Sequence, residues 1–138
     1  MEKFKKLVMK NVLILGASSD IGYSLIKKYL GKNYLVYAHY NQNPGKLKRL
    51  ENKNLKIFRF NLKQITNFEK FVKKNKIFKN LDIFVSLTGY LKLKTMDNSK
   101  VADFYDHINV NYLSNFLVTQ KIVNSMKKKG GGKILYAS

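Results

Sequence analysis

The 138-residue chain has no cysteine and a single proline, Pro44. Without thiols there is neither a disulfide framework nor a thiolate metal site, a composition that suits a reducing compartment. No Gly/Ser- or Pro-rich stretch marks a linker and no internal repeat is visible, so one domain spanning 1–138 is expected. Arginine occurs only at Arg49 and Arg59, although its forked guanidinium is the preferred reader of phosphates and base edges. The eight acidic residues are scattered and leave no cluster for a metal ion, so no metal site is expected. No segment approaches the roughly 20 apolar residues of a membrane span. The opening MEKFKKLVMKNVLILGAS sets basic residues before an apolar run. Val12–Leu15 is shorter than the about 7–15 residues of a secretory core, and the chain reads as soluble and cytoplasmic.

What is abundant is lysine. With 27 Lys and Arg against 8 acidic residues the formal charge is +19, which ordinarily suggests a polyanion partner. Here the lysines are spread along the whole chain, which favours a solvated basic surface over nucleic-acid binding. The hydrophobic fraction of 45% is that of a folded globular chain.

Apolar runs alternate with helix-period segments. NVLILG (11–16), YLVYAHY (34–40), LKIFRFN (55–61), LDIFVSLTG (81–89) and the terminal GKILYAS read as strands. IGYSLIKKYL (21–30) has helical spacing, with Ile21, Leu25, Ile26 and Tyr29 on one side, and Pro44 opens a short helix. ITNFEKFVKKNKIF (65–78) puts Phe68, Phe71, Val72 and Phe78 on one face, and two further helices are expected near 100–107 and 109–129. Strands separated by helices run parallel, which predicts an α/β, doubly wound parallel sheet of order 3-2-1-4-5.

LILGASSDIGYSLI is a strand, a glycine turn and a helix in succession. Gly16 lets the backbone turn sharply, Gly22 lets the helix pack closely on the sheet, and Ser18 and Ser19 sit at the helix's positive end, where a pyrophosphate is stabilised. Alone, the motif also fits a plain turn capped by Ser19 or Asp20. Its place as the first turn of a parallel α/β pattern favours dinucleotide binding.

GASSDIG resembles the Gly-x-x-x-Gly-x-Gly cofactor turn of the short-chain dehydrogenases/reductases, with Asp20 at the middle glycine. LDIFVSLTG is similar to that family's strand ending in Asn-Asn-Ala-Gly, with Gly89 kept; INVNYLSNFLVTQ and GGGKILYAS resemble the segments leading to its catalytic asparagine and serine. The resemblance covers essentially the whole chain and implies a Rossmann-like fold. It assigns cofactor binding to Gly16, Ser18, Ser19, Asp20, Ile21 and Gly22 in the turn, Asn61 and Leu62 after strand three, and Leu87, Thr88 and Gly89 after strand four. Asp20 brings a carboxylate to the phosphate site, and its side chain is expected to turn back and cap the helix. After strand two, AHYNQNPGKLKRL has no carboxylate before Glu51; Asn41, Gln42 and Asn43 with Lys46 or Lys48 suit a 2′-phosphate, which favours NADP(H), with NAD(H) as the alternative.

The resemblance further implies hydride transfer between the nicotinamide and a carbonyl or alcohol, with a mild lean toward 3-oxoacyl-carrier-protein reductases. In the family a tyrosine is the general acid, a lysine four residues on lowers its pKa, and both lie on the helix after strand five. Asn111 falls on the asparagine of the proton relay, and Ser138 on the position just before the catalytic serine. The expectation is therefore the N-terminal part of a reductase, truncated after strand five and able at best to bind the dinucleotide. A non-catalytic dinucleotide-binding or interaction module is the alternative, and a basic nucleic-acid binder is third. His39 and His107 have no carboxylate arranged beside them as in a triad and read as packed or solvated. Leu113, Phe116, Leu117, Val118, Ile122, Val123 and Met126 cover more than one face of the 109–129 helix, which calls for a second partner besides the sheet; in the family that partner is a subunit, so the resemblance implies a homo-oligomer through that helix. Strand five is left as a bare edge, and poor solubility of the isolated chain follows.

Overall fold

The computed structural model describes residues 8–137. Five strands, β1 Asn11–Leu15, β2 Leu35–Tyr40, β3 Leu55–Arg59, β4 Ile83–Ser86 and β5 Lys133–Tyr136, make one sheet of order β3-β2-β1-β4-β5. Every pairing is parallel. The helices are α1 Asp20–Gly31, α2 Ile65–Lys74, α3 Val101–Ile108 and α4 Ser114–Lys128. This is the Rossmann-like, doubly wound arrangement that the element order predicts.

Alternation along the strands explains why both sheet faces are covered. Successive side chains point to opposite sides, so Val12 and Ile14 join Val36, Ala38, Val85 and Ile26 of α1 in one core layer. Leu13 and Leu15 enter the other layer with Phe84, Phe68 of α2, and Val118 and Ile122 of α4. An apolar strand buried on both faces has no solvated side on which a polar residue would be favoured. The winding direction switches between β1 and β4, and this opens a crevice at the carboxyl edge of the sheet.

The elements depart from the sequence reading in three places. The helix expected through Phe78 stops at Lys74, because Asn75 is extended (φ −80°, ψ 136°) and its side chain accepts from the Ile77 N–H. A separate 3₁₀ turn, Lys76–Lys79, then buries Phe78. The helices expected at 100–107 and 109–129 are one continuous helical run, in which Asn109–Leu113 widen into a π turn between α3 and α4. Ile21, assigned by periodicity to the inner face of α1, is exposed, while Tyr23 and Leu30 pack inward with Leu25, Ile26 and Tyr29. No helix among the described residues is long and apolar enough to cross a membrane.

Candidate functional site

The turn between β1 and α1 is built from two glycines with different jobs. Gly16 has φ +73°, a left-handed conformation that favours glycine, and a Cβ there would stand 2.9 Å from the main-chain carbonyl of Leu87. Gly22 meets the turn itself rather than the sheet: a Cβ would lie 2.4 Å from the Ala17 carbonyl oxygen. The expectation that Gly22 serves helix–sheet packing is corrected accordingly, since the chain folds back on the first turn of its own helix.

Ser19 caps α1, its Oγ accepting from the Gly22 N–H at 3.1 Å. The expectation that Asp20 would cap is overturned. Asp20 is the first residue of the helix, and its exposed carboxylate reaches outward to Lys46 Nζ at 2.7 Å. The Lys46 hydrogen bond and charge hold the Asp20 carboxyl below its ordinary range and raise the Lys46 ammonium in return. With the cap taken by Ser19, the N–H groups of Ser18, Ser19, Asp20 and Ile21 have no hydrogen-bond partner among the described residues.

A cleft of about 340 Å³ opens over this turn. From the residues singled out in the sequence it brings together Gly16, Ser18 and Ser19 of the turn with Asn41 after β2 and Leu62 after β3. Leu87, Thr88 and Gly89 after β4 close the opposite wall. Asp20, Ile21, Gly22 and Asn61 do not line it: Gly22 lies beneath the turn, Ile21 points to solvent, and Asn61 uses its side chain to accept from the Lys63 N–H. Sequence reasoning did not place His39, Lys63, Tyr90 or Val110 in this cleft, yet they line it. The available signal was position, since each lies within a few residues of a strand's carboxyl end or of Asn111. Ser138 lies outside the described residues.

The family model for short chain dehydrogenases matches residues 10–138. The chain belongs to the short-chain dehydrogenase family. It is 29% identical over 135 residues to an uncharacterised oxidoreductase of Schizosaccharomyces pombe, which covers 96% of this chain and 46% of that protein. It is 29% identical over 126 residues to the 3-oxoacyl-[acyl-carrier-protein] reductase FabG of Buchnera aphidicola, covering 91% and 43%. The chain therefore spans under half the length of these curated relatives. Among solved structures, ElxO with NADP bound superimposes with a TM-score of 0.71 at 25% identity, over 93% of this chain and 54% of that one. A Tyr-to-Phe variant of ElxO holds NADPH, and a short chain dehydrogenase of Leptospira borgpetersenii of the same fold holds NAD+.

The residues present fit such a group. Only Ala17 and two small hydroxyl side chains, Ser18 and Ser19, stand between Gly16 and the helix, four N–H groups are left for an anion, and the carboxylate that replaces the family's middle glycine is neutralised by Lys46. Bound there, the dinucleotide would bring hydride-transfer chemistry, and Ser18, Ser19 and the Leu87–Gly89 backbone would hold it.

Tyr90, in the lining of this cleft, is held by three side chains. Asn111 Oδ1 accepts from the Tyr90 N–H at 2.8 Å, and Asn111 Nδ2 donates to the Tyr90 carbonyl at 3.0 Å. Lys63 Nζ stands 3.9 Å from the Tyr90 ring centroid and pairs with Asp106 at 3.1 Å. Tyr90 first, then Asp106, raise the Lys63 ammonium above its usual range. The His107 ring packs against Tyr90 with its Nε2 accepting from the Lys92 N–H. The widened turn at Asn109–Leu113 carries Asn111 to this position, so its side chain grips the loop after β4. Asn111→Ala is expected to cost about 1–3 kcal/mol for two lost hydrogen bonds and to speed hydrogen exchange at the Tyr90 amide. Unchanged exchange there would show that the grip is not maintained in solution.

A larger cleft of about 820 Å³ lies on the other side of Tyr90, bounded by Asn111, Tyr112, Phe116 and Tyr136. The Tyr136 hydroxyl is hydrogen-bonded to Thr119.

Proposed function

We propose that this chain is the cofactor-binding part of an NADP(H)-dependent oxidoreductase that moves hydride between the nicotinamide and a carbonyl or alcohol. One observation carries the reading: a two-glycine turn with unpaired N–H groups lies at the carboxyl edge of β1 and β4, where its Gly16, Ser18 and Ser19 line a cleft. In this reading Gly16 and Gly22 let the backbone approach the pyrophosphate, Ser18, Ser19 and the N–H groups of Asp20 and Ile21 bind it, and Leu62 with the Asn61 main chain borders the adenine. Leu87, Thr88 and Gly89 contact the ribose side through their backbone. Asn111 positions the loop after β4 through its two bonds to the Tyr90 main chain.

The choice of NADP(H) over NAD(H) is supported by charge. No carboxylate stands between the end of β2 and Glu51, a stretch in which Asn41, Lys46 and Lys48 offer donors. Resemblance to a carrier-protein reductase supports a 3-oxoacyl thioester as the substrate class. Tyr112 and Phe116 are more than half exposed on a helix whose opposite face buries Val118 and Ile122, which supports pairing of two copies through α4.

Calorimetric titration of the chain with NADPH and NADH tests the cofactor. The expected result is tighter NADPH binding, with Lys48→Glu, which leaves the Lys46–Asp20 pair intact, removing about tenfold of that affinity, the size of one charge-assisted contact, and sparing NADH. Equal heats with both dinucleotides, unaltered by the substitution, would overturn the NADP(H) assignment.

A further inference from the structure

His39 is the most buried titratable side chain near the cleft, with 2% of its surface exposed. Its two ring nitrogens are both committed to main chain. Nδ1 accepts from the Gly16 N–H at 3.2 Å, and Nε2, 2.9 Å from the Phe60 carbonyl, donates to it. These partners fix one neutral tautomer, since an N–H can only donate and a carbonyl can only accept. The carbonyl of the same residue accepts from the Ala17 N–H at 2.8 Å. Residue 39 therefore holds the first two residues of the turn, one by its side chain and one by its backbone. The ring is packed against Phe58 of β3, 5.5 Å between centroids, and lines the cleft alongside Gly16 and Ser18.

We infer that His39 is a positioning residue for the dinucleotide turn and does this only as the neutral imidazole. The inference rests on the dinucleotide reading above. A proton added at Nδ1 sets one N–H donor against another at Gly16. The bond is lost, the Gly16 amide is left unsatisfied, and the turn loses the anchor that aims its free N–H groups.

No opposing charge compensates a protonated ring. On the turn and α1 the only carboxylate is Asp20, which is exposed and paired with Lys46. On β3 the charged neighbour is Arg59, whose Nε donates to the Asn41 carbonyl; α2 carries Glu69, paired with Lys73. Lys63 and Tyr90 share the cleft. Burial accordingly holds His39 below the ordinary imidazole range, opposed only by the bond to Phe60. The neutral form is complete above the ordinary midpoint of about 6.5, and the turn's integrity is lost as pH falls below it toward the depressed value.

The test is calorimetric titration of the full chain with NADP⁺ at several pH values between 8 and 5, beside His39→Asn and His39→Leu. Asparagine offers an acceptor at the Nδ1 position but does not titrate; leucine offers none. The ligand's own 2′-phosphate titration is common to all three proteins and cancels in ratios of affinity. The expected ratio of native to His39→Asn affinity is constant at high pH and falls by up to about tenfold per pH unit in the acid range. His39→Leu is expected to bind at least tenfold more weakly at every pH while retaining its far-ultraviolet dichroism. A ratio that does not change with pH would overturn the inference.

Absence of NADP⁺ binding at any pH would instead sink the dinucleotide reading. The brace is then judged by nitrogen-15 NMR of the chain alone. The ring must show the Nε2–H tautomer, and the Gly16 amide must titrate with it. A Gly16 signal indifferent to the His39 titration would overturn the inference independently of any ligand.

Discussion

Gly22→Ala is expected to abolish dinucleotide binding and to destabilise the fold by about 3 kcal/mol, the upper range for overpacking against rigid surroundings. The added methyl would sit 2.4 Å from the Ala17 oxygen and 2.7 Å from its carbonyl carbon and Cα, all main-chain atoms. A flexible side chain can swing aside, but this backbone cannot: the Ala17 N–H is tied to the His39 carbonyl at 2.8 Å, and Gly16 before it is locked at φ +73° against Leu87. Either the turn opens or the first turn of α1 unwinds, and both outcomes disperse the N–H groups of Ser18 to Ile21. Urea unfolding followed by far-ultraviolet dichroism, with NADPH calorimetry on the same material, reads both effects. A variant with the parental midpoint and undiminished heat would show that the turn has slack the geometry denies.

Phe68→Ala should cost about 3–5 kcal/mol, as for other fully buried aromatics. The ring is 0% exposed and lies 5.1 Å from Phe60 and 6.3 Å from Phe71, in the layer that joins α2 to Leu13, Leu15 and Phe84. Deleting it leaves a cavity beneath α2, where the close-packed rings of Phe58, Phe60, Phe71 and Phe78 limit collapse. Against the about 5–15 kcal/mol typical of a domain, that loss is a large fraction of total stability. Phe104→Ala, at a ring 64% exposed, should fall within about 0.5 kcal/mol of the parent. Equal effects at the two positions would mean that the core layer is not packed as described.

The strands and their order were legible because Val12–Leu15 and Ile83–Val85 are apolar without interruption, which only a sheet covered on both faces accommodates. The Ser19 cap and the sharp turn at Gly16 were legible because a cap and a left-handed φ are set within a few residues, whereas the close approach of Gly16 to the Leu87 main chain was not. Asp20 was misread for a related reason: Ser19 and Asp20 are both good caps in isolation, and the partner that draws Asp20 outward, Lys46, is 26 residues away. Likewise the π turn at Asn109–Leu113 leaves no mark in the apolar spacing, and Asn111 finds its partner at Tyr90 on a different element.

Local chemistry in the chain thus dictated a parallel doubly wound sheet and a glycine turn at the head of the first helix, since hydrophobic period and glycine conformation depend on near neighbours. Folding in three dimensions selected which groups surround that turn. His39 looks like an ordinary strand residue until parallel pairing of β2 with β1 sets its ring under Gly16, and Lys46 is one lysine among many until the loop after β2 brings it to Asp20. Contacts between residues so far apart in the chain depend on strand register and crossover direction, and those are properties of the assembled sheet.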